Sequence, residues 1–301
     1  PHQPFVARRE DYEKYRGRVP MPDHPEDVDD DTHGYLKWWR NNNGTVDVTE
    51  AEVIRCRTAY WALIDSMDRM IGKIVDVLKV NGLLDNTLIV YTTDHGEQVG
   101  EHGLWWKQTF YEEAARVPVI ISWPDRLAQG ARCGRVVSQI DLNATMLDLI
   151  GAPPLPGSSG RSMVDLLENP GNAEWNDTVF SEYCTERGDP WHSDGDHTWQ
   201  NRMVRRGSWK LNYYAGFEPQ LFNLDDDPTE MTDLSGVPEH AAVKTELLTL
   251  VLDGWDPEWV RDSIHRQSAD IDLLKRWGTN IQPADSHRWD LRPEMDHVDG
   301  G

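Results

Sequence analysis

The stretch TLIVYTTDHGEQVGEHGLWWK, residues 87–107, decides how this chain is read. Residues 87–91 are β-rich without polar alternation, the pattern of a strand buried on both faces. In an open α/β sheet ligands gather beyond the carboxyl ends of strands, and Asp94 and His95 stand at that point. A carboxylate followed directly by an imidazole, with Gly96 to let the backbone turn, offers an oxygen and a nitrogen donor to a divalent cation; two donors are half a shell. Lys107 follows in a loop with Trp105 and Trp106, whose bulk excludes water from an ammonium suited to a tetrahedral oxyanion. Taken singly, each feature also has a plainer reading: a turn aspartate beside a solvated histidine, and a surface lysine whose stem lies on tryptophan.

Upstream of this stretch, residues 1–44 are rich in Pro, Asp and Asn and predict a long surface excursion. Thr49 and Glu52 then form a capping box, and apolar residues recur at Tyr60, Leu63, Met67, Ile71, Ile74 and Leu78, a long amphipathic helix that stops at Asn81 and Gly82. Downstream, residues 117–122 predict a second buried strand, and residues 142–150 a helix capped by Asp141. Buried strands separated by helices predict a mostly parallel sheet sandwiched by helices, so the fold class is α/β. Shorter β-like runs at 178–183, 203–204, 209–214 and 220–224, with helical spacing over 239–252, predict a smaller antiparallel-sheet-plus-helix subdomain. The expected division is residues 1–170, 171–254 and a polar tail over 255–301, partly helical from 257 to 277.

Thirty basic against 52 acidic residues leave a formal charge of −22, which repels phosphate backbones and anionic bilayers, so nucleic acid and membrane are not expected partners. The longest apolar run, residues 117–123, falls far short of the roughly 20 residues of a membrane span. Cys56, Cys133 and Cys184 share no short spacing, which argues against a disulfide framework or zinc knuckle and slightly favours a reducing, cytoplasmic compartment. Fourteen tryptophans suit a carved pocket or subunit contact as well as ordinary core packing.

The run Asp94-His95-Gly96, Gly100-Glu101-His102-Gly103, an aromatic pair, Lys107, Phe110-Tyr111-Glu112-Glu113 and Arg116-Val117-Pro118 resembles the second half of the type I sulfatases, within the alkaline phosphatase superfamily. His2 sits in Pro-His-Gln-Pro-Phe, similar to the family's Pro-His-x-Pro-Phe, and residues 60–72 resemble its helix with Asp65 and Gly72. Lys210-Leu211, Leu221-Phe222-Asn223-Leu224 and Asp227-Pro228-Thr229-Glu230 resemble its C-terminal signature. The resemblance implies an alkaline phosphatase-like fold, Asp94 and His95 as metal ligands, Lys107 as a sulfate-binding cation and His2 as a donor to a sulfate or leaving-group oxygen. It implies a divalent cation, Ca2+ favoured with Mn2+ or Mg2+ as alternatives, since many members carry Asp-Asn where this chain has Asp-His. The substrate implied is a small sulfate ester.

The family's formylglycine arises from a Cys-x-Pro-Ser-Arg motif, and none of the three cysteines lies in one. The expectation is therefore a C-terminal portion of an enzyme with on the order of 200 more residues upstream, among them the formylglycine, its arginine and an early Asp-Asp metal pair, and with no turnover by this chain alone. The tail is similar to the extension of choline-sulfatase-like members, which implies a homo-oligomer contact; a frayed acidic terminus is the alternative. Residues 191–197 are a candidate for substrate specificity or a solvated loop. Competing readings are a phosphonate monoester hydrolase or phosphodiesterase of the same superfamily, and a non-catalytic remnant.

Overall fold

In a computed structural model the residues described are 1–24, 33–171, 174–185 and 198–281. The candidate specificity loop, residues 191–197, lies outside them, as do residues 282–301 of the tail.

The supposed N-terminal excursion holds two helices, α1 (Arg9–Tyr15) and α2 (Gly34–Asn42). Tyr35, Leu36 and Trp39 have the spacing of one helical face, and all three are buried; the polar composition around them concealed it. The capping box forms as expected and opens α3 (Glu50–Val80): the Thr49 N–H donates to the Glu52 carboxylate at 2.9 Å and the Glu52 N–H to the Thr49 hydroxyl at 3.3 Å. Asn81 and a left-handed Gly82 end it. The first half of α3 buries Val53, Ala59 and Ala62, whereas Met70, Ile74, Val77 and Val80 in its second half are exposed.

Strands β1 (Ile89–Tyr91) and β2 (Ile120–Ser122) flank the short α4 (Glu112–Ala115). They pair antiparallel, Val90 opposite Ile121, in a two-stranded sheet, which corrects the expected parallel arrangement for these strands. Nor are they buried on both faces, since β1 is only half-buried and Ile120 of β2 is exposed, and an apolar run encodes no strand direction. The four-residue α4 is also too short to make the crossover that parallel neighbours need. Then follow α5 (Gln139–Leu149), capped by Ser138 with Asp141 as the reciprocal partner rather than the cap itself, and α6 (Val164–Glu168).

The antiparallel expectation for the second half is met by β3 (Thr178–Cys184), β4 (Gln200–Arg206), β5 (Trp209–Tyr214) and β6 (Gln220–Asn223), each hydrogen-bonded to the next. Alternation along these strands gives the sheet two buried faces. One carries Val204, Leu211 and Leu221 against Leu247 and Val251 of α7 (Ala241–Leu252). The other carries Met203, Tyr214 and Phe222 against Tyr35, Trp39, Leu104, Phe110 and Tyr111. The loop leading to Lys107 therefore lies between this sheet and the first half of α3, where Val53, Val99 and Trp105 form a separate core. The tail forms α8 (Pro257–Ile281), several of whose apolar side chains, Ile271, Leu274 and Trp277 among them, are exposed.

Candidate active site

β1 ends three residues before Asp94, and the chain turns because Gly96 lies against the backbone of α4. A Cβ there would stand 1.9 Å from the Glu113 carbonyl oxygen, and in its absence the Gly96 and Glu97 amides donate to the Ala114 and Glu113 carbonyls at 2.8 and 2.9 Å. Asp94 remains exposed while His95 is half-buried. The Asp94 carboxylate accepts the His95 amide at 3.0 Å and the Thr93 hydroxyl at 3.2 Å. Slight burial works against its ionisation, but the neighbouring His95 and these hydrogen bonds prevail and hold the carboxyl below its ordinary range.

Each histidine donates its Nδ1–H to a carbonyl, which only accepts. His95 Nδ1 donates to the Gly96 carbonyl at 2.8 Å, and its Nε2 lies 3.4 Å from Asp94 Oδ2. His2 Nδ1 donates to the Gln3 carbonyl at 2.7 Å, and its Nε2 accepts from Lys107 Nζ at 2.8 Å. The His2 and His95 ring centres are 6.5 Å apart. Asp94, His95, His2 and Lys107 thus form one chain of contacts at the end of β1, with an open cleft of about 350 Å³ beside Asp94 against the start of α5.

The backbone on either side of Lys107 is held by side chains from elsewhere. Tyr35 donates its hydroxyl to the Gln108 carbonyl at 2.7 Å, and Trp39 Nε1 donates to the Trp105 carbonyl at 3.4 Å. The Trp106 amide donates to Glu97 at 2.6 Å. Burial pushes the Glu97 carboxyl above its usual range, opposed by the Trp106 and Val99 amides and by the charges of Lys107 and His95. Arg57 ties the same loop to the N-terminal segment, donating to the Val99 carbonyl at 2.9 Å, the Pro20 carbonyl at 3.1 Å and the Glu101 carboxylate at 3.0 Å.

The sulfatase family profile matches residues 1–152, and the profile for the C-terminal region of N-sulphoglucosamine sulphohydrolase matches residues 100–253. The chain belongs to the sulfatase family. A choline-sulfatase from Rhizobium meliloti is 31% identical over 97% of this chain and 56% of its own length. Arylsulfatase K from Xenopus laevis is 33% identical over 70% of this chain and 40% of its own. Among solved structures, the phosphonate monoester hydrolase SpPMH from Silicibacter pomeroyi superimposes with a TM-score of 0.72 at 27% identity, covering 84% of this chain and 54% of that one. This sulfatase-family chain spans about half the length of the relatives it matches, and the structural neighbours have the alkaline phosphatase-like fold.

Two of the four residues nominated from sequence were adjacent anyway; the folding of the sulfatase-family chain brings His2 and Lys107 to them. Among the described residues no three His, Cys, Asp or Glu side chains gather as a complete metal site. Asp94 and His95 nevertheless fit part of one: a carboxylate oxygen and an imidazole nitrogen face each other at 3.4 Å, the spacing of adjacent ligands at right angles on a cation bound at about 2.4 Å. His102, in the same motif, is instead buried and stacked on Tyr111 with ring centres 4.0 Å apart.

Sequence reasoning assigned no part to a buried ionic cluster behind the Lys107 loop. Lys210 Nζ, fully buried on β5, lies 2.8 Å from Glu230 and 3.1 Å from Glu112, and Arg205 reaches Glu112 at 3.1 Å. Glu230 Oε2 also accepts the Glu112 amide at 2.6 Å. Burial raises the Glu230 carboxyl and Lys210 pulls it back. Glu230 ends the Asp-Pro-Thr-Glu segment, so that signature ties the C-terminal sheet to the segment following Lys107; a lone Lys in a β-run was the available signal.

Proposed function

We propose that this chain forms the oxyanion-holding part of a sulfuric ester hydrolase that cleaves a small sulfate monoester. The observation that carries this reading is the contact between Lys107 and His2, 105 residues apart in sequence, beside Asp94 and His95. An ammonium and a protonated imidazole directed at one oxyanion stabilise the charge that builds on its oxygens during ester cleavage. Lys107 binds a non-bridging oxygen; His2, its Nδ1 held by Gln3, takes a proton on Nε2 as Lys107 turns to the anion and, as the imidazolium, donates from Nε2 to the sulfate or the departing oxygen. Asp94 and His95 would hold part of the shell of a divalent cation, Ca2+ in the first instance, which when bound polarises the sulfate oxygens. The nucleophile is a formylglycine contributed from outside these 301 residues, which alone are inactive.

In this reading residues 1–170 belong to the catalytic α/β domain and 171–254 to the small α+β subdomain. The tail from 255 mediates contact between copies, and the exposed apolar side chains of α8 support that role. No helix among the described residues is long and apolar enough to cross a membrane. A second reading, phosphonate monoester hydrolysis, is favoured by the likeness to SpPMH. The test is hydrolysis of 4-nitrophenyl sulfate by the polypeptide carrying this chain together with a Cys-x-Pro-Ser-Arg segment. Turnover lost on Lys107→Ala supports sulfatase action; cleavage of a phenyl phosphonate monoester alone replaces it with the second reading.

A further inference from the structure

Three residues that are not glycine adopt left-handed backbone within eight positions before Lys107: Val99 at φ 46°, His102 at 53° and Trp106 at 67°. A β-branched or bulky residue enters this region only where its surroundings over-determine it. Trp106 matters most, because it immediately precedes the lysine and its conformation sets the direction in which the chain leaves. Its amide donates to Glu97 Oε1 at 2.6 Å, and its carbonyl accepts from the Gln98 amide at 2.9 Å. Glu97 is itself fixed, only 8% exposed, with its own amide on the Glu113 carbonyl.

We propose that Glu97 is a positioning residue for Lys107: its carboxylate locks Trp106 in the left-handed conformation that brings Lys107 Nζ to His2. The carboxylate and the lysine it orients belong to the two ends of one motif, nine residues apart at the hydrogen bond to Trp106. A charged acceptor makes a shorter and stronger bond to an amide than a neutral one, which suits a support for strained backbone. Glu97 does not contact the oxyanion; it acts through Trp106. The proposal rests on the oxyanion reading above only for its purpose, since the geometry can be tested without turnover.

The experiment compares the full chain with its Glu97→Gln and Glu97→Ala variants by NMR, following hydrogen exchange at the Trp106 amide and the shift of His2 Nε2, with thermal unfolding as a control on folding. Glu97→Gln, which keeps an acceptor, is expected to move the Trp106 amide proton upfield, speed its exchange less than tenfold and keep the His2 Nε2 shift. Glu97→Ala is expected to speed that exchange tenfold or more and move His2 Nε2 toward its value in Lys107→Ala. Should the alanine variant fail to fold, the Trp106 proton in Glu97→Gln decides: an unmoved resonance overturns the proposal. A wild-type His2 signal in a folded Glu97→Ala chain overturns it as well. Titration with inorganic sulfate separates the two readings. Absence of binding to the unsubstituted chain counts against the oxyanion site, while the Trp106 and His2 signals still decide the part played by Glu97.

Discussion

Lys107 Nζ donates to His2 Nε2 across 2.8 Å, and the Gln3 carbonyl fixes the histidine tautomer that makes this possible. Such a preorganised pair costs little rearrangement when an anion arrives. In the polypeptide that includes the nucleophile, Lys107→Ala is expected to lower kcat/KM by roughly 2 to 4 kcal/mol of transition-state stabilisation. Lys107→Arg is expected to rescue poorly, because a planar fork does not replace a compact ammonium in a loop held at Trp105, Trp106 and Gln108. Steady-state kinetics on a sulfate ester checks both; full activity in either variant would make the lysine a structural group.

The cluster of Lys210, Glu230, Glu112 and Arg205 predicts an asymmetry between single and double substitutions. Lys210→Met leaves a buried carboxylate without its partner, a change expected to cost about 3 to 5 kcal/mol in urea unfolding at neutral pH. Changing Glu230 to Met at the same time is expected to recover much of that loss. The pH dependence has a defined sign. Burial already raises the Glu230 carboxyl in the folded chain, and removing the lysine raises it further. The penalty is then smallest below the unfolded carboxyl's ordinary range and grows as pH rises through the folded value. A Lys210→Met chain no less stable at pH 7 than at pH 5, relative to wild type, would contradict this account.

Much of this was legible in residues 87–107, and the reasons for the rest are physical. Asp94 and His95 are neighbours in sequence, and the capping box at Thr49 is a local hydrogen-bonding pattern, so both could be read without tertiary information. The strand pairing of Val90 with Ile121 could not, because an apolar run does not encode direction. Helix α2 was hidden by its polar surroundings, although Tyr35, Leu36 and Trp39 carry a helical face. Tyr35 and Lys210 reach Gln108 and Glu112 across 73 and 98 residues, and Glu97 reaches Trp106 across nine, contacts for which no spacing in the sequence gives a signal.

Helix α1 is fastened to α3 by charge. Lys14 donates to Asp65 at 2.9 Å, and Arg69 reaches both Asp65 and Asp11. The hydrogen bond from Lys14, with help from Arg69, holds the Asp65 carboxyl below its ordinary value of 3.8. A carboxyl depressed in the folded state contributes stability that is full above its unfolded value and is lost as pH falls through the folded one. Docking of α1 is therefore expected to loosen on acidification below about pH 4, modestly because the cations Lys14 and Arg69 face solvent. Tyr15 packs edge-on against Trp61, ring centres 6.2 Å apart, so tryptophan fluorescence reports the event. Asp65→Asn should show the loosened signal already at neutral pH and flatten its acid dependence; an unchanged acid limb would assign the transition to other groups.

Two glycines separate close backbone approach from mere helix weakness. At Gly96 an added Cβ would lie 1.9 Å from the Glu113 oxygen, so Gly96→Ala must push residues 96 and 97 away from residues 113 and 114 and break both amide bonds between them. Overpacking of this kind costs about 1 to 3 kcal/mol, and each lost hydrogen bond about 1 more, so an overall loss of roughly 3 to 5 kcal/mol is expected. The same shift would displace Asp94 and His95 from one another and unseat Glu97 from Trp106. Gly72 lies within α3 with nothing inside 4 Å of an added Cβ. Gly72→Ala is therefore expected to raise stability by about 0.5 to 1 kcal/mol through backbone entropy alone. Urea unfolding of the two variants beside wild type gives opposite signs if backbone proximity governs residue 96. Equal small effects would show that the Asp-His-Gly turn tolerates a side chain and that its glycine serves only flexibility.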